Sequence, residues 1–289
     1  MSGAAEAIGG TDAQARAPIG QALVHAALAP VYRDPNLPAA LISQIVMGAR
    51  VAVLEERAAW RLVRGEDAYV GWVHSGYLMA GNEEWVAGWE RGTRGEPVVS
   101  LGAELADENG WVFARPPWGA RLFKYGGLYG IPDGRTGTPV HGEIVDIDRR
   151  TDRYPPRGVS MARTARGWLG TPYLWGGVTP AGADCSGFVQ AVLWMHGLAL
   201  PRDSAQQAEV GESVDPGPDF EALRPGDLLY FAERDGPVTH VALSSGGSRI
   251  VHAALTNGAV AENDLAGEEP LDRRLRSEFV GARRILPDD

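Results

Sequence analysis

In the N-terminal part of the chain, hydrophobic and polar positions alternate over short runs, a pattern typical of half-buried β-strands. The clearest runs are rich in Val, Leu and Trp and occupy residues 49–54, 60–63 and 69–73. Turn residues separate the runs, among them Gly48 and the Gly-Glu-Asp sequence at 65–67. The pattern predicts a small β-barrel over residues 19–81, preceded by an N-terminal tail at 1–18.

A second stretch, from residue 82 to residue 148, continues this alternation without repeating the sequence of the first. Residues 97–101 and 111–114 are typical of strands, and Glu-Asn-Gly at 108–110 is typical of a turn between them. Neither stretch has the periodicity that would favour a helical bundle. We therefore expect a second small β-barrel at 82–148.

The pattern changes after residue 148. Residues 149–158 combine charged side chains with a Pro-Pro pair, cannot supply a core, and predict an extended linker. Beyond them, apolar residues recur three or four positions apart at 159–169 and 185–196, which predicts two helices. Short apolar runs predict strands at 227–231, 239–243 and 249–252. The last domain, 159–289, is therefore expected to be α+β.

Composition and charge limit the class of function. The chain has 289 residues, of which 44% are hydrophobic and 22% charged, as in ordinary globular proteins. Its 37 acidic and 27 basic residues give a net charge of −10, the wrong sign for binding a phosphate backbone, so we expect no nucleic-acid partner. No apolar run approaches the roughly 18 residues that span a bilayer, so we expect no membrane insertion. The first twenty residues lack the features of a secretory signal, which favours a cytoplasmic location.

The chain has a single cysteine, Cys185, which rules out an internal disulfide and a Cys-rich zinc site. Cys185 follows a Gly-rich turn at the start of the predicted helix 185–196. A thiol in that position faces unpaired backbone N–H groups and the positive end of the helix dipole, which predicts a lowered pKa and a nucleophilic role. The alternative is that Cys185 is a small buried hydrophobic residue, as most free cysteines are.

A thiol nucleophile needs a base, and the base needs a group that orients it. His240 and His252 lie on predicted strands, and a hairpin through residues 244–248 would set the two rings side by side on one face of a sheet. Taken singly, either histidine could equally be structural. We expect structural roles for the other histidines, which are His25, His74, His141 and His196.

Six segments of the C-terminal part resemble the NlpC/P60 cysteine peptidases. In chain order they are GTPYLWGG (170–177), DCSGFVQ (184–190), LPRDSAQQ (200–207), LRPGDLLYF (223–231), THVALSSG (239–246) and IVHAA (250–254). The resemblance implies a papain-like α+β catalytic domain over 159–289 that needs no cofactor and no metal. The string VAVLEERAAWRLVRGEDAYVGWVHSGYL (51–78) resembles bacterial SH3-type (SH3b) barrels, which implies two SH3b-type barrels before the catalytic domain.

The resemblance also implies the roles of the catalytic residues. Cys185 corresponds to the nucleophile, His240 to the general base and His252 to the polar residue that orients the base. Tyr173 corresponds to the tyrosine that stabilises the oxyanion together with the backbone N–H of the nucleophile. Preorganised donors of this kind act where charge develops in the transition state.

The resemblance further implies residues that bind substrate. Asp184 corresponds to an acidic position that contacts a substrate amine, although it could also cap the helix that follows. Ser186 flanks the nucleophile, and Ser204 corresponds to a position in the substrate pocket. Tyr77, near the end of the first barrel, is a candidate for a wall of the active site, whereas the second barrel has no motif that suggests a role.

Family members with two barrels before the catalytic domain cleave the bond between γ-D-glutamyl and the diamino acid of cell-wall stem peptides. In those members the first barrel restricts the site to peptides with a free N-terminal L-Ala. We therefore expect murein stem peptides as substrates, with meso-diaminopimelate or L-Lys after the cleaved bond, and a role in murein recycling. Two alternatives stay open: another acyl-transfer enzyme, such as an amidase or acyltransferase, and a non-catalytic peptidoglycan-binding protein.

Overall fold

The computed structural model describes residues 14–93, 95–234 and 236–286. The chain divides into two compact units, with the boundary after Arg150. Residues 1–13 of the predicted tail lie outside the described part of the chain.

A seven-stranded antiparallel sheet begins the N-terminal unit. Its strands are Gly20–Val24 (β1), Leu28–Tyr32 (β2), Leu41–Val46 (β3), Arg50–Arg57 (β4), Trp60–Arg64 (β5), Val70–His74 (β6) and Leu78–Gly81 (β7). Their order in the sheet is β3-β2-β6-β5-β4-β1-β7. Apolar residues of six of these strands, β1 to β6, meet in one core, so the sheet folds around its own apolar face.

A second sheet of the same size follows in the same unit. Its strands are Glu96–Ser100 (β8), Glu104–Ala106 (β9), Val112–Ala114 (β10), Arg121–Tyr125 (β11), Leu128–Gly130 (β12), Thr136–His141 (β13) and Ile144–Asp146 (β14). The order in the sheet is β10-β9-β13-β12-β11-β8-β14. Every strand occupies the place of the strand seven positions earlier in the chain, so the two sheets share one topology. The prediction of two small β folds of the same type before the α+β part is confirmed, and their bounds as separate domains stay a prediction.

A helix between the two sheets was not anticipated. Helix α1 (Glu83–Glu90) begins after Asn82, whose Oδ1 accepts a hydrogen bond of 2.8 Å from the backbone N–H of Trp85. Val86 and Trp89 are buried on one side of the helix. The expectation that residues 82–148 contain only β structure is therefore wrong here, because the helix is capped by Asn82 and stabilised by packing of Val86 and Trp89 against Leu23 and Phe123.

The two sheets of the N-terminal unit pack against each other. The backbone N–H of Arg121 donates to the carbonyl of Met47 at 2.8 Å, and Trp89 Nε1 donates to the carbonyl of Gly48 at 3.2 Å. Gly48 has a φ of +77°, and a Cβ there would lie 2.1 Å from the carbonyl oxygen of Arg121. Only glycine fits this approach. The Arg121 guanidinium also forms a two-bond ion pair with Glu66.

The C-terminal unit is α+β, as predicted. Its six-stranded sheet has the order β17-β22-β18-β19-β20-β21, and the strands are Glu212–Val214 (β17), Leu228–Phe231 (β18), His240–Gly246 (β19), Arg249–Ala254 (β20), Ala259–Asp264 (β21) and Phe279–Arg284 (β22). The other elements are Arg150–Arg153 (α2), Gly158–Arg166 (α3), Val178–Thr179 (β15), Gly182–Ala183 (β16), Cys185–Met195 (α4), Ser204–Gln207 (α5) and Pro270–Glu278 (α6).

Helices α3 and α4 both pack against strands β19 and β20. The side of α4 that makes this contact includes Phe188, Val189 and Val192, which are fully buried. A separate apolar cluster joins Leu275 of α6 to the sheet. The N-terminus of α4 is thereby held beside the strands that carry the two histidines.

Residues 149–158 are not the extended linker that the sequence predicts. They contain the helical turn α2, and the carbonyl of Pro155 accepts a hydrogen bond of 2.8 Å from Nδ1 of His196. The ring of Tyr154 packs edge-on against the same imidazole, at 5.7 Å between centroids. Nε2 of His196 lies 2.9 Å from Thr164 Oγ1, so this histidine is a buried structural residue, as expected.

Candidate active site

Cys185 is the first residue of α4, and its thiol points at the beginning of β19. The Sγ–H donates to the carbonyl of Thr239 at 4.0 Å, and Cys185 is only 8% exposed. The backbone N–H groups of Ser186 and Val241 donate to the sulfur. Thr239 and Val241 are the neighbours of His240 in the sequence, so the thiol lies at the strand position that carries the predicted base.

The expected lowering of the thiol pKa is not what the structure shows. Burial, together with the nearby Asp184 carboxylate, raises the pKa of Cys185 to about 12. The backbone N–H groups and the Arg202 guanidinium act in the opposite direction but do not outweigh burial. The resting thiol is therefore neutral, so it has to give its proton to a base when it attacks.

The two histidines lie side by side on one hairpin, which confirms the prediction for residues 244–248. Strands β19 and β20 pair antiparallel, and Nε2 of His240 lies 2.7 Å from Nδ1 of His252. His252 is fully buried. Burial holds the pKa of His240 well below its ordinary value, and the neighbouring His252 lowers it further. A neutral imidazole beside a neutral thiol can accept its proton.

Two further polar residues continue this arrangement and do not belong to any of the six segments that carry the resemblance. Nε2 of His252 lies 3.0 Å from Oδ1 of Asn263 on β21, and Nδ2 of Asn263 donates to Oδ1 of Asp272 on α6 at 2.7 Å. Asp272 is 5% exposed. Their place in the sequence, 11 and 20 residues after His252, gave no signal, because only the pairing of β21 and the docking of α6 bring them to the site.

Tyr173 lies close to the thiol, on a segment tied to the catalytic domain by its backbone. Its N–H donates to the carbonyl of Gly258 at 2.9 Å, and the residue bridges to Ala183, two positions before Cys185. Burial raises the pKa of the Tyr173 phenol, and a thiolate at Cys185 and the Asp184 carboxylate act in the same direction. The hydroxyl therefore stays protonated and can donate. Its role at the oxyanion stays a prediction.

The carboxylate of Asp184 is held by hydrogen bonds within the catalytic domain. Oδ1 accepts from Arg202 Nη1 at 3.0 Å and from the N–H of Gly187 at 2.8 Å. Oδ2 accepts from Arg202 Nη2 at 2.6 Å and from the N–H of Gly176 at 2.8 Å. Asp184 is 6% exposed. Asp184 therefore caps α4 and pairs with Arg202, and its contact with a substrate amine stays a prediction.

Ser186 and Ser204 are both buried, and their substrate contacts stay predictions. Ser186 Oγ accepts a hydrogen bond of 2.8 Å from Nη1 of Arg202. Ser204 begins α5, and Gln207 at the end of that helix donates to the carbonyls of Ser186 at 3.1 Å and Pro201 at 2.8 Å. Through Arg202 and Gln207, residues 200–207 support the N-terminal end of α4, where the thiol lies. The sequence analysis did not predict this supporting role of Arg202 and Gln207.

Among residues 14–93, 95–234 and 236–286, no group of three or more His, Cys, Asp or Glu side chains is arranged to hold a metal ion. Within the same described residues, no helix is both long enough and apolar enough to cross a membrane.

A buried thiol at a helix N-terminus, against a sheet that presents two hydrogen-bonded imidazoles, defines a cysteine hydrolase site. Comparison with family models agrees with this class. Residues 170–277 match the NlpC/P60 family, and residues 31–78 match the bacterial dipeptidyl-peptidase SH3 domain. The C-terminal unit is therefore a cysteine peptidase domain of the NlpC/P60 family, and a bacterial SH3 domain precedes it.

Relatives match most of the chain. A γ-D-glutamyl-L-lysine dipeptidyl-peptidase of Bacillus cereus is 27% identical over 269 residues, which are 86% of this chain and 76% of the relative. Dipeptidyl-peptidase 6 of Lysinibacillus sphaericus is 25% identical over 274 residues, which are 88% of this chain and 94% of the relative. The crystal structure of an NlpC/P60 family protein from Bacillus cereus shares the fold, with a TM-score of 0.72 at 24% identity, over 92% of this chain and all of that chain.

Proposed function

We propose that the chain is a cysteine peptidase that hydrolyses the γ-D-glutamyl–diamino acid bond of cell-wall stem peptides. The observation that carries the proposal is that the Cys185 thiol donates to the carbonyl of Thr239, the residue before His240, while Nε2 of His240 lies 2.7 Å from Nδ1 of His252. The substrate class is supported by the relatives, which are named as dipeptidyl-peptidases and match 86% and 88% of this chain. One of them is named for the γ-D-glutamyl-L-lysine bond.

In the proposed mechanism, the sulfur of Cys185 attacks the γ-glutamyl carbonyl carbon while its proton passes to His240. The resulting oxyanion accepts hydrogen bonds from the backbone N–H of Cys185 and from the hydroxyl of Tyr173. His240 then gives its proton to the α-amine of the diamino acid, which leaves as the C–N bond breaks. Water, deprotonated by His240, hydrolyses the thioester and regenerates the thiol.

The proposal extends to the form of the substrate and to its biological role. A dipeptidyl-peptidase removes two residues from an N-terminus, so the names of the relatives support a requirement for a free L-Ala amine. Free L-Ala-γ-D-Glu-diamino acid fragments are the substrates of a cytoplasmic murein-recycling enzyme, and that is the role we propose.

The test is cleavage of two peptides, followed by mass spectrometry, with wild type and Cys185→Ala. One peptide is L-Ala-γ-D-Glu-meso-diaminopimelate with a free amine, and the other is the same peptide N-acylated. We expect wild type to release the diamino acid only from the first, and the variant, at unchanged melting temperature, to release nothing. Cleavage of both peptides would contradict the free-amine requirement and the recycling role. Cleavage of neither would contradict the peptidase assignment.

A further inference from the structure

A line of hydrogen-bonded side chains runs from the catalytic histidines into the interior of the C-terminal unit. His252 pairs with Ala261 across strands β20 and β21, and Asn263 is two residues further along β21. Side chains two positions apart on a strand share a face, so Asn263 and His252 lie on the same side of the sheet. Asp272, in the first turn of α6, closes the line.

The carboxylate at the end of the line determines which way the amide of Asn263 faces. An ionised carboxylate can only accept hydrogen bonds, so the atom of Asn263 that meets Asp272 has to be the donor Nδ2. Oδ1 then faces His252 as an acceptor. Nδ2 of Asn257 lies 3.0 Å from the same oxygen and 3.4 Å from Nε2 of His252, and the shorter contact is the hydrogen bond that fits this orientation.

The orientation of Asn263 in turn determines the tautomers of both histidines. The ring nitrogen of His252 that meets Oδ1 is Nε2, so Nε2 carries the proton and the Nδ1 of a neutral His252 is bare. A bare Nδ1 can only accept, so Nε2 of His240 donates to it at 2.7 Å. Burial lowers the pKa of both histidines, which favours their neutral forms. In a neutral His240, the lone pair is then left on Nδ1.

We propose that Asn263 and Asp272 are positioning residues that fix the tautomer of His240, so that Nδ1 is the atom that takes the proton of Cys185. The proposal rests on the assignment of His240 as the base in the proposed function. With the amide of Asn263 reversed, its NH₂ would face His252 and its oxygen would face the carboxylate. The wrong tautomer of the base would then follow, with the proton on Nδ1 of His240 and no acceptor for the thiol.

Two measurements that need no peptide substrate distinguish the positioning role of Asn263 and Asp272 from a merely structural role. The first is the ¹⁵N chemical shifts of the histidine ring nitrogens at neutral pH, which report where the proton resides. The second is the rate at which iodoacetamide alkylates Cys185. Wild type is expected to show protonated Nε2 and bare Nδ1 in both histidines. Protonated Nδ1 on His240 in wild type would overturn the proposal.

In Asp272→Ala, the amide of Asn263 is free to reverse. We expect a second tautomer of His240 in the spectrum and alkylation slower by at least about tenfold, since a positioned general base contributes about 10²–10⁴ in rate. Asp272→Asn keeps an oxygen acceptor for Asn263 and is expected to restore most of the rate. Asp272→Ala added to Asn263→Ala is expected to cause no further loss, because Asp272 acts through Asn263.

Asp264→Ala is the matched control, because Asp264 Oδ1 accepts from the N–H of Ala266 in the same loop, whereas Asp264 reaches Asp272 only through its backbone N–H, at 3.4 Å, which the substitution keeps. Equal rates in Asp264→Ala and Asp272→Ala, or additive losses in the double variant, would contradict the proposal. Failure of the proposed function would look different: wild type would cleave no stem peptide, while the tautomers and the alkylation rates followed the pattern above.

Discussion

Substitution of Arg202 tests how the N-terminus of helix α4, which carries Cys185, is held in place. Arg202 and Asp184 form a two-bond ion pair, and their side chains are 2% and 8% exposed. Arg202→Met keeps most of the buried aliphatic volume but leaves the carboxylate of Asp184 buried without its countercharge. Breaking one partner of a buried pair typically costs about 3–5 kcal/mol.

A loss of that size is large compared with the stability of a domain. At about 2–4 °C for each kcal/mol, it lowers the melting temperature of the C-terminal unit by on the order of 10 °C. The assay is thermal unfolding of the full chain by circular dichroism. The control is Arg166→Met, which breaks a pair with Glu262 that is 42% and 35% exposed and is worth less than about 1 kcal/mol.

The double variant Asp184→Asn with Arg202→Met removes both charges and is expected to regain part of the lost stability, because no uncompensated charge is left inside. Alkylation of Cys185 adds a second readout. Since Asp184 raises and Arg202 lowers the pKa of the thiol, Arg202→Met is expected to slow alkylation at a given pH. Equal melting temperatures for Arg202→Met and Arg166→Met would refute the reasoning.

Three further predictions concern other parts of the chain. Burial lowers the pKa of His196 and His252, so below a pH of about 6.5 the unfolded chain binds protons that the folded chain does not. The free energy of unfolding is expected to fall by up to about 1.4 kcal/mol per histidine per pH unit. A urea midpoint unchanged between pH 7.5 and pH 5 would contradict this. Tyr173→Phe is expected to lower kcat about 10²-fold with little change in KM, and a change confined to KM would disprove the oxyanion role. Asn82→Ala is expected to destabilise the N-terminal unit by about 1 kcal/mol in denaturant titrations, whereas Asn82→Asp keeps the cap and most of the stability.

The strands and helices that sequence reasoning found are those with a strong period. Alternation located β4, β5 and β6, and helical spacing located α3 and α4, within a few residues of their observed ends. Helix α1 was missed because eight residues with two buried side chains give a weak periodic signal, although the cap at Asn82 was visible in the sequence. The shared topology of the two sheets was also hidden, since strand order depends on pairing and not on local pattern.

At the site, the sequence and its family resemblance identified the candidate catalytic residues but not the residues that hold them in place. Cys185, His240 and His252 stand in recognisable segments, and the structure brings them together. Arg202 is within one of those segments, yet its pairing with Asp184 depends on a turn of the chain that local pattern does not reveal. The raised pKa of the thiol has the same origin, because the depth of burial is a tertiary property that outweighs the helix N-terminus.

The most direct test of the central claim is to trap the acyl-enzyme. Wild type is mixed with L-Ala-γ-D-Glu-meso-diaminopimelate, quenched in acid within its first turnovers, digested and analysed by mass spectrometry. The account predicts an L-alanyl-γ-D-glutamyl thioester on the peptide that contains Cys185, removable by hydroxylamine and absent from Cys185→Ala. Release of the diamino acid by Cys185→Ala at the wild-type rate, or an acyl group on another residue, would contradict it.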